Sequence, residues 1–305
     1  MNLARPAALS PRPGRAQARL AWVMLAPLLA FLLAVVAYPM LRTLYLSFTS
    51  ARLTAFRVPP AWVGLDNYAA AVTNPDLQAA LARTAYFTVV SVSAEVVLGV
   101  LVALLLNQKF RGRAYVRALL ILPWAIPTIV NAIMWRWIYS PEFGSLNALL
   151  TQLHLLPAYR SWLGEPQLAM NMVIVADVWK NYPLVAMIAL AALQSIPGEL
   201  YEAASIDGAN AWVRFWRLTL PSILAPLSVA IVLRCIEAFK VFDIIYVMTR
   251  GGPVDGTKTA TFYVYQEAFT YLRSGSGASY AYLMVLISLI FISAYITLLR
   301  RQERA

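Results

Sequence analysis

The chain has 305 residues, of which 61% are hydrophobic and only 13% charged, and its mean hydropathy is +0.65. Soluble domains carry about one quarter charged residues, so this composition excludes a soluble globular protein and makes the chain an integral membrane protein. The net charge of +11 does not indicate nucleic acid as a partner, because the cations cluster at the ends of apolar runs and form no basic groove with interleaved aromatics. One cysteine, Cys235, precludes an internal disulfide framework, and one histidine, His154, leaves no metal cluster.

Residues 1–19 hold Arg5, Arg12, Arg15 and Arg19, three prolines and no acid, which predicts a basic tail without fixed structure. The apolar run 20–46 is too long for a signal-peptide core and has no small-x-small cleavage site before a mature domain, so it reads as an uncleaved first span. Further runs at 81–106, 118–139, 168–194, 222–248 and 278–299 each supply the ~20 residues that a hydrocarbon core requires. The expected fold is therefore all-α, with six transmembrane helices over 20–300 and a short tail at 301–305.

Segments 1–19, 107–117, 195–221 and 300–305 contain thirteen Lys and Arg, against six in the alternate loops 47–80, 140–167 and 249–277. The positive-inside rule then puts both termini and the 195–221 loop in the cytoplasm. In the first outer loop, Trp62-Val63-Gly64-Leu65-Asp66-Asn67-Tyr68 combines turn residues with aromatics suited to a short interfacial helix. Span three carries Leu122-Pro123-Trp124 and Pro127, followed by Trp135 and Trp137. Prolines at membrane depth are tolerated where neighbours or a cavity satisfy the freed backbone, so this span is either a kinked packing helix or a wall of the substrate path.

Spans four and five carry Asp177, Lys180, Arg234, Glu237, Lys240 and Asp243. Each would cost about 2.5–3.5 kcal/mol unpaired at a helix centre, so they must be paired or wet. At 1.5 Å per residue, Asp177–Asn181 and 234–237 both sit near mid-bilayer and can face each other. Three acids balance three bases, which favours a neutral, hydroxyl-rich solute over a phosphorylated one, with Asn181 as donor or acceptor and Trp179 or Tyr182 available to stack on a sugar face. An interhelical salt-bridge network that only fixes packing is the competing reading.

Between those spans lies a polar island, Glu202-Ala203-Ala204-Ser205-Ile206-Asp207-Gly208-Ala209, followed by Leu220-Pro221. Ala204, Gly208 and Ala211 at i, i+4 and i+7 would share one side of a short helix and let another protein approach its backbone. Ser195 is its expected cap, Pro197 its first turn, and Glu199 and Glu202 complement its dipole. After span five, Gly251-x4-Gly256 followed by Lys258-Thr259 misses the spacing of a phosphate-binding loop by one residue and has no strand-helix context. No other such loop occurs, so ATP hydrolysis must belong to another chain.

Glu-Ala-Ala, three residues, Gly and a downstream Leu-Pro form a pattern that resembles the membrane subunits of bacterial ATP-driven (ABC) importers served by a solute-binding protein. The resemblance runs from Leu20 to Arg300 and is nearest the carbohydrate branch, through the Gly-Leu-Asp-Asn-Tyr stretch, Leu-Pro-Trp, Asn181-Tyr182-Pro183 and Gly251-Gly252-Pro253. It implies a type I importer permease fold in the bacterial inner membrane, with Glu202, Ala203, Ala204, Asp207, Gly208, Ala209 and Pro221 coupling to the ATPase. A gapless match to maltose permeases implies a substrate path formed by Asp177, Lys180, Asn181, Leu184, Arg234, Glu237, Ala238 and Val241. Lys180, Arg234, Glu237 and Ala238 depart from the residue types of that branch. The implied partners are a second homologous permease, an ATPase dimer that binds ATP and Mg, and an extracytoplasmic sugar-binding protein that the Gly-Gly-Pro region faces. The chain itself is expected to hold no cofactor and to catalyse nothing. The solute expected is a di- or oligosaccharide such as trehalose or maltose, with glycerol phosphate as the alternative. Two rivals are an ion-coupled secondary transporter, using Asp177 and Glu237 as relays, and a membrane scaffold.

Overall fold

The computed structural model describes residues 15–55 and 58–302, and these are helical apart from connecting loops and one isolated bridge between Thr49 and Trp62. The tail residues 1–14 and 303–305 lie outside the described residues. The first helix begins inside the stretch read as tail: α1 (Arg15–Leu32) passes through a π turn at Leu33–Ala37 into α2 (Tyr38–Ser47). Residues 22–46 contain no buried residue, so this arm lies outside the core of its own chain. An outer strap follows, in which Trp62 stacks on Phe48 and the Asn67 amide donates to the Ser47 and Thr49 carbonyls. It leads into α3 (Asp66–Thr73), the short helix expected there.

The core is built on α4 (Pro75–Asn107), α8 (Pro166–Gln194) and α11 (Leu220–Phe239). Asn74 starts α4 by accepting from the amides of Asp76 and Leu77, with Pro75 at the first helical position. A Cβ on Gly99 would lie 2.8 Å from Val185 Cγ1 and 3.0 Å from Ala186 N, so the missing side chain lets α4 and α8 approach closely. Around that contact Val100, Ala103, Leu106, Val185, Ala189, Leu190, Ile223 and Leu227 form one buried cluster. A second joins Phe87, Val92, Ala132, Tyr139, Val173, Ile174, Ile244 and Ile245.

Span three is not one kinked helix. α5 (Arg113–Ala125) and α6 (Thr128–Ile138) meet at 95°. Pro127 has no amide to donate and forces Ile126 into extended backbone at φ −71, ψ 130, which ends α5. The Asn131 amide then anchors α6 to α8 through the Ala176 carbonyl at 3.2 Å. Among the described residues five helical stretches are long and apolar enough to cross a membrane, and the bent pair makes a sixth if it counts as one crossing.

Span five is also shorter than its apolar run. α11 stops at Phe239, and the chain turns through 240–242 before α12 (Asp243–Met248), so 222–248 is a helix, a break and a second short helix. α7 (Ser145–Gln152) packs against α6 and α13 (Ala260–Tyr265) against α4 and α14 (Ser274–Gln302), which closes the bundle against α2 through a bond from the Tyr282 hydroxyl to the Met40 carbonyl.

The polar island is a helical hairpin, not the single helix that the small-residue spacing suggested. α9 (Gly198–Ile206) ends before Gly208, and α10 (Ala211–Arg214) starts anew under an Asn210 cap that accepts from the Val213 amide. Pro197 precedes α9 and does not form its first turn, and the Ser195 hydroxyl donates to the Ala192 carbonyl at the end of α8, so it closes that helix and does not cap α9.

Candidate functional site

On α8 the spacing i, i+3, i+4 puts Asp177, Lys180 and Asn181 on one face. The same spacing on α11 aligns Arg234, Glu237 and Ala238. The two faces meet in a cleft of about 390 Å³, to which Val241 also contributes. The 95° bend brings Trp124 and Thr128 to its wall, and the break after α11 brings Lys240, Phe242 and Asp243. Of the residues expected in the substrate path, Leu184 alone lies elsewhere, in an apolar recess with Ile121, Trp124, Pro183 and Met187. Trp179 packs edge-on against Trp135, with centroids 5.8 Å apart, so the aromatic wall is supplied by Trp124 and Phe242 instead.

Arg234 is the hub of the charges. Its Nε lies 2.7 Å from Glu95 Oε2 and its Nη2 3.0 Å from Glu95 Oε1. Nη2 also donates to Asp177 Oδ2 at 3.3 Å, and Nη1 to Glu237 Oε2 at 2.5 Å. Asn181 steadies Asp177 by donating to Oδ1 at 3.0 Å. A guanidinium has five N–H donors, so these contacts leave Arg234 about one for any solute. The pairing is thus a buried network for Asp177 and Arg234. Glu237 keeps 61% of its side chain exposed. Lys180, Lys240 and Asp243 make no ion pair within 4.0 Å among the described residues.

Glu95, wholly buried on α4, is the residue the sequence reading missed. It is the lone charge in the run 81–106 apart from Arg83 near its edge, and a solitary carboxylate in a span is itself a signal of a buried partner. Counting it, the cluster holds four carboxylates (Glu95, Asp177, Glu237, Asp243) and three cations (Lys180, Arg234, Lys240), so the balance is one acid in excess and not zero.

At the far end of α8 the hairpin residues face outward. Glu202, Ala203, Asp207 and Gly208 are exposed, Ala204 and Ala209 half-buried, and Pro221 exposed at the start of α11. Gly208 adopts φ +77, and nothing lies within 4 Å of the position a Cβ would take. Ile206 is 87% and Trp212 69% exposed, beside Trp216 whose ring meets that of Trp212 at 5.6 Å. Apolar groups clustered this way outside the core mark a surface suited to contact with a protein or a membrane. The Tyr201 hydroxyl, 3.0 Å from Thr219 Oγ1, ties α9 to the foot of α11, the helix that carries Arg234 and Glu237.

The loop 249–259 folds inward upon itself. Lys258 Nζ is 2.7 Å from Asp255 Oδ1, Thr257 Oγ1 donates to the Gly252 carbonyl, and a Cβ on Gly256 would lie 2.4 Å from Pro166. Its lysine is already paired and Thr257 and Thr259 are buried, in keeping with the spacing argument against a phosphate loop.

Residues 95–304 match the family described as the binding-protein-dependent transport system inner membrane component. The chain is 38% identical over 283 residues to the trehalose/maltose transport system permease protein MalF of Thermococcus litoralis, covering 92% of this chain and 93% of that one. It is 33% identical to the sulfoquinovosyl glycerol transport system permease protein SmoG of Agrobacterium fabrum, over 93% and 91% of the two chains. Its fold matches a chain of a bacterial ABC transporter involved in the import of the acidic polysaccharide alginate, with TM-score 0.80, 24% identity and coverage of 94% and 96%. The chain therefore belongs to the inner membrane components of binding-protein-dependent transport systems, the non-catalytic, multi-pass permease family of ABC importers.

Proposed function

We propose that this chain is the permease subunit of an ATP-driven importer for a neutral di- or oligosaccharide such as trehalose or maltose. The observation that carries the reading is the cleft between α8 and α11. There Glu237, Lys180, Lys240 and Asp243 offer acceptors and donors left over from the Arg234 network, beside the rings of Trp124 and Phe242. Hydroxyls need both kinds of partner, and a pyranose face fits against an aromatic ring. The similarity to the trehalose/maltose permease supports the same solute class. An excess of one carboxylate weighs against glycerol phosphate, whose anion would require extra cations. Family membership replaces the gradient-driven and scaffold alternatives.

In this reading Glu202, Ala203, Ala204, Asp207, Gly208, Ala209 and Pro221 form the seat of an ATPase subunit that binds ATP and Mg. Closure of an ATPase dimer would shift α9, and the Tyr201–Thr219 contact would pass the movement to α11 and so to the cleft. The arm of α1 and α2, unburied by its own chain, is where a second homologous permease packs. An extracytoplasmic sugar-binding protein delivers solute at the 249–259 end. The test is reconstitution with the cognate ATPase, second permease and binding protein. ATP-dependent uptake of trehalose or maltose and no uptake of glycerol phosphate is expected. The opposite preference refutes the sugar assignment, and uptake that persists without the ATPase refutes the coupling.

A further inference from the structure

A second polar cleft, of about 540 Å³, opens at the α9 end of the bundle. Lys109 stands past the end of α4, Arg113 and Arg117 lie on the first two turns of α5, and Tyr201 belongs to α9; no carboxylate lines the cleft. Two further observations separate it from a merely solvated basic patch. Arg117 is half-buried: Nη2 donates to the Leu106 carbonyl at 3.0 Å, but Nε is buried without a partner. Arg117 also makes no ion pair within 4.0 Å among the described residues. Secondly, α5 starts without a side-chain cap, since Gly112 at φ +87 provides none, and its first turn has no acid. The positive end of a 13-residue helix therefore lacks an anionic partner beside three cations.

We propose that this cleft binds a phosphate group, presented in the membrane by the headgroup of an anionic phospholipid. The remaining Nη donors of a guanidinium match phosphate oxygens, and a helix N-terminus adds backbone donors. The cleft lies where the spans α4 and α8 both end, the level at which headgroups lie, and basic pockets between helices at that depth select anionic lipid. Because Tyr201 forms one wall, an occupied cleft braces the start of α9. That consequence rests on the coupling role proposed for α9, whereas the site itself does not.

The test uses the full chain in detergent with mixed phosphatidylglycerol and phosphatidylcholine, counting retained lipids by native mass spectrometry. Preferential retention of phosphatidylglycerol is expected, weakened about fivefold for each cation removed in Lys109→Gln and in Arg113→Gln/Arg117→Gln. Lys109 is exposed, so its variant keeps the fold even where the double variant does not. Retention that resists inorganic phosphate assigns the headgroup. Saturable stabilisation by inorganic phosphate without lipid preference assigns a free phosphate to the same chemistry. Equal retention of both lipids with no effect of phosphate, or undiminished retention in Lys109→Gln, overturns the proposal. Release of phosphatidylglycerol on assembly with the ATPase would show an acidic protein surface in the cleft and overturn it as well. None of these readings depends on transport, so they stand apart from the function proposed above.

Discussion

Arg234 and Glu95 grip each other in a two-pronged pair across α11 and α4, with 4% and 0% of their side chains exposed. Breaking such a pair leaves a buried charge without its partner, which costs about 3–5 kcal/mol. Asp177 and Glu237 remain on Arg234, so Glu95→Gln should fall at the low end of that range. Thermal unfolding of the detergent-solubilised chain should show a clear drop for Glu95→Gln. Glu95→Leu/Asp177→Asn/Arg234→Met should recover much of it, because Asp177 also loses its cation with Arg234 and the triple variant leaves no buried charge without a partner. Strict additivity of the single effects would show that the three residues do not act as a network.

The same packing depends on a missing side chain. Gly99→Ala places a methyl 2.8 Å from Val185 Cγ1 and against the backbone of Ala186, so α4 and α8 must separate. Overpacking of this kind costs about 1–3 kcal/mol. Val185→Ala in the Gly99→Ala background removes the contact with Cγ1 but leaves Val185 Cβ at 2.9 Å and Ala186 N at 3.0 Å, so the double variant should still melt below wild type. A Gly99→Leu chain as stable as wild type would refute close approach as the reason for glycine there.

Much of this architecture was legible because spans announce themselves by length and apolarity: 168–194 and α8 differ by two residues at one end and none at the other. The breaks at Pro127 and after Phe239 were not. Apolar composition continues through both, and whether a proline kinks a helix or divides it depends on the neighbours that accept the freed backbone. Asp177, Asn181, Arg234 and Glu237 were placed together by helix geometry alone. Glu95 escaped because its partner lies 139 residues away in sequence and no local pattern links them. Trp124 reached the cleft only through the bend, and Leu184 missed it because one turn of α8 faces a different groove.

Within the cleft, stability and solute recognition should separate. Glu237 is 61% exposed, and a solvent-facing ion pair is worth about 0–1 kcal/mol, so Glu237→Gln should melt near wild type while Arg234 stays held by Glu95 and Asp177. Sugar uptake by the reconstituted complex should nevertheless fall several-fold, and Trp124→Ala should fall with it. Assembly with the ATPase should be unaffected in both. Normal uptake by Glu237→Gln together with Trp124→Ala would remove the cleft from the solute path and leave its charges a packing device.

Gly208 tests the hairpin as the seat of the ATPase. Its φ of +77 is a left-handed conformation that costs an L-residue about 1–2 kcal/mol, but no atom lies within 4 Å of the position a Cβ would take, so a side chain leaves the turn without a clash at its base. Gly208→Asn, whose residue type tolerates that conformation, and Gly208→Trp should therefore both fold and insert. They should differ in what they bind. The indole projects from an exposed turn next to Ile206 and Trp212, where a docked partner would need room, so Gly208→Trp should lose co-purification with the ATPase while Gly208→Asn keeps most of it. Cross-linking from residue 206 would report the same contact directly. If Gly208→Trp retains the ATPase and ATP-dependent uptake, the partner does not approach this turn, and coupling must run through another part of the chain.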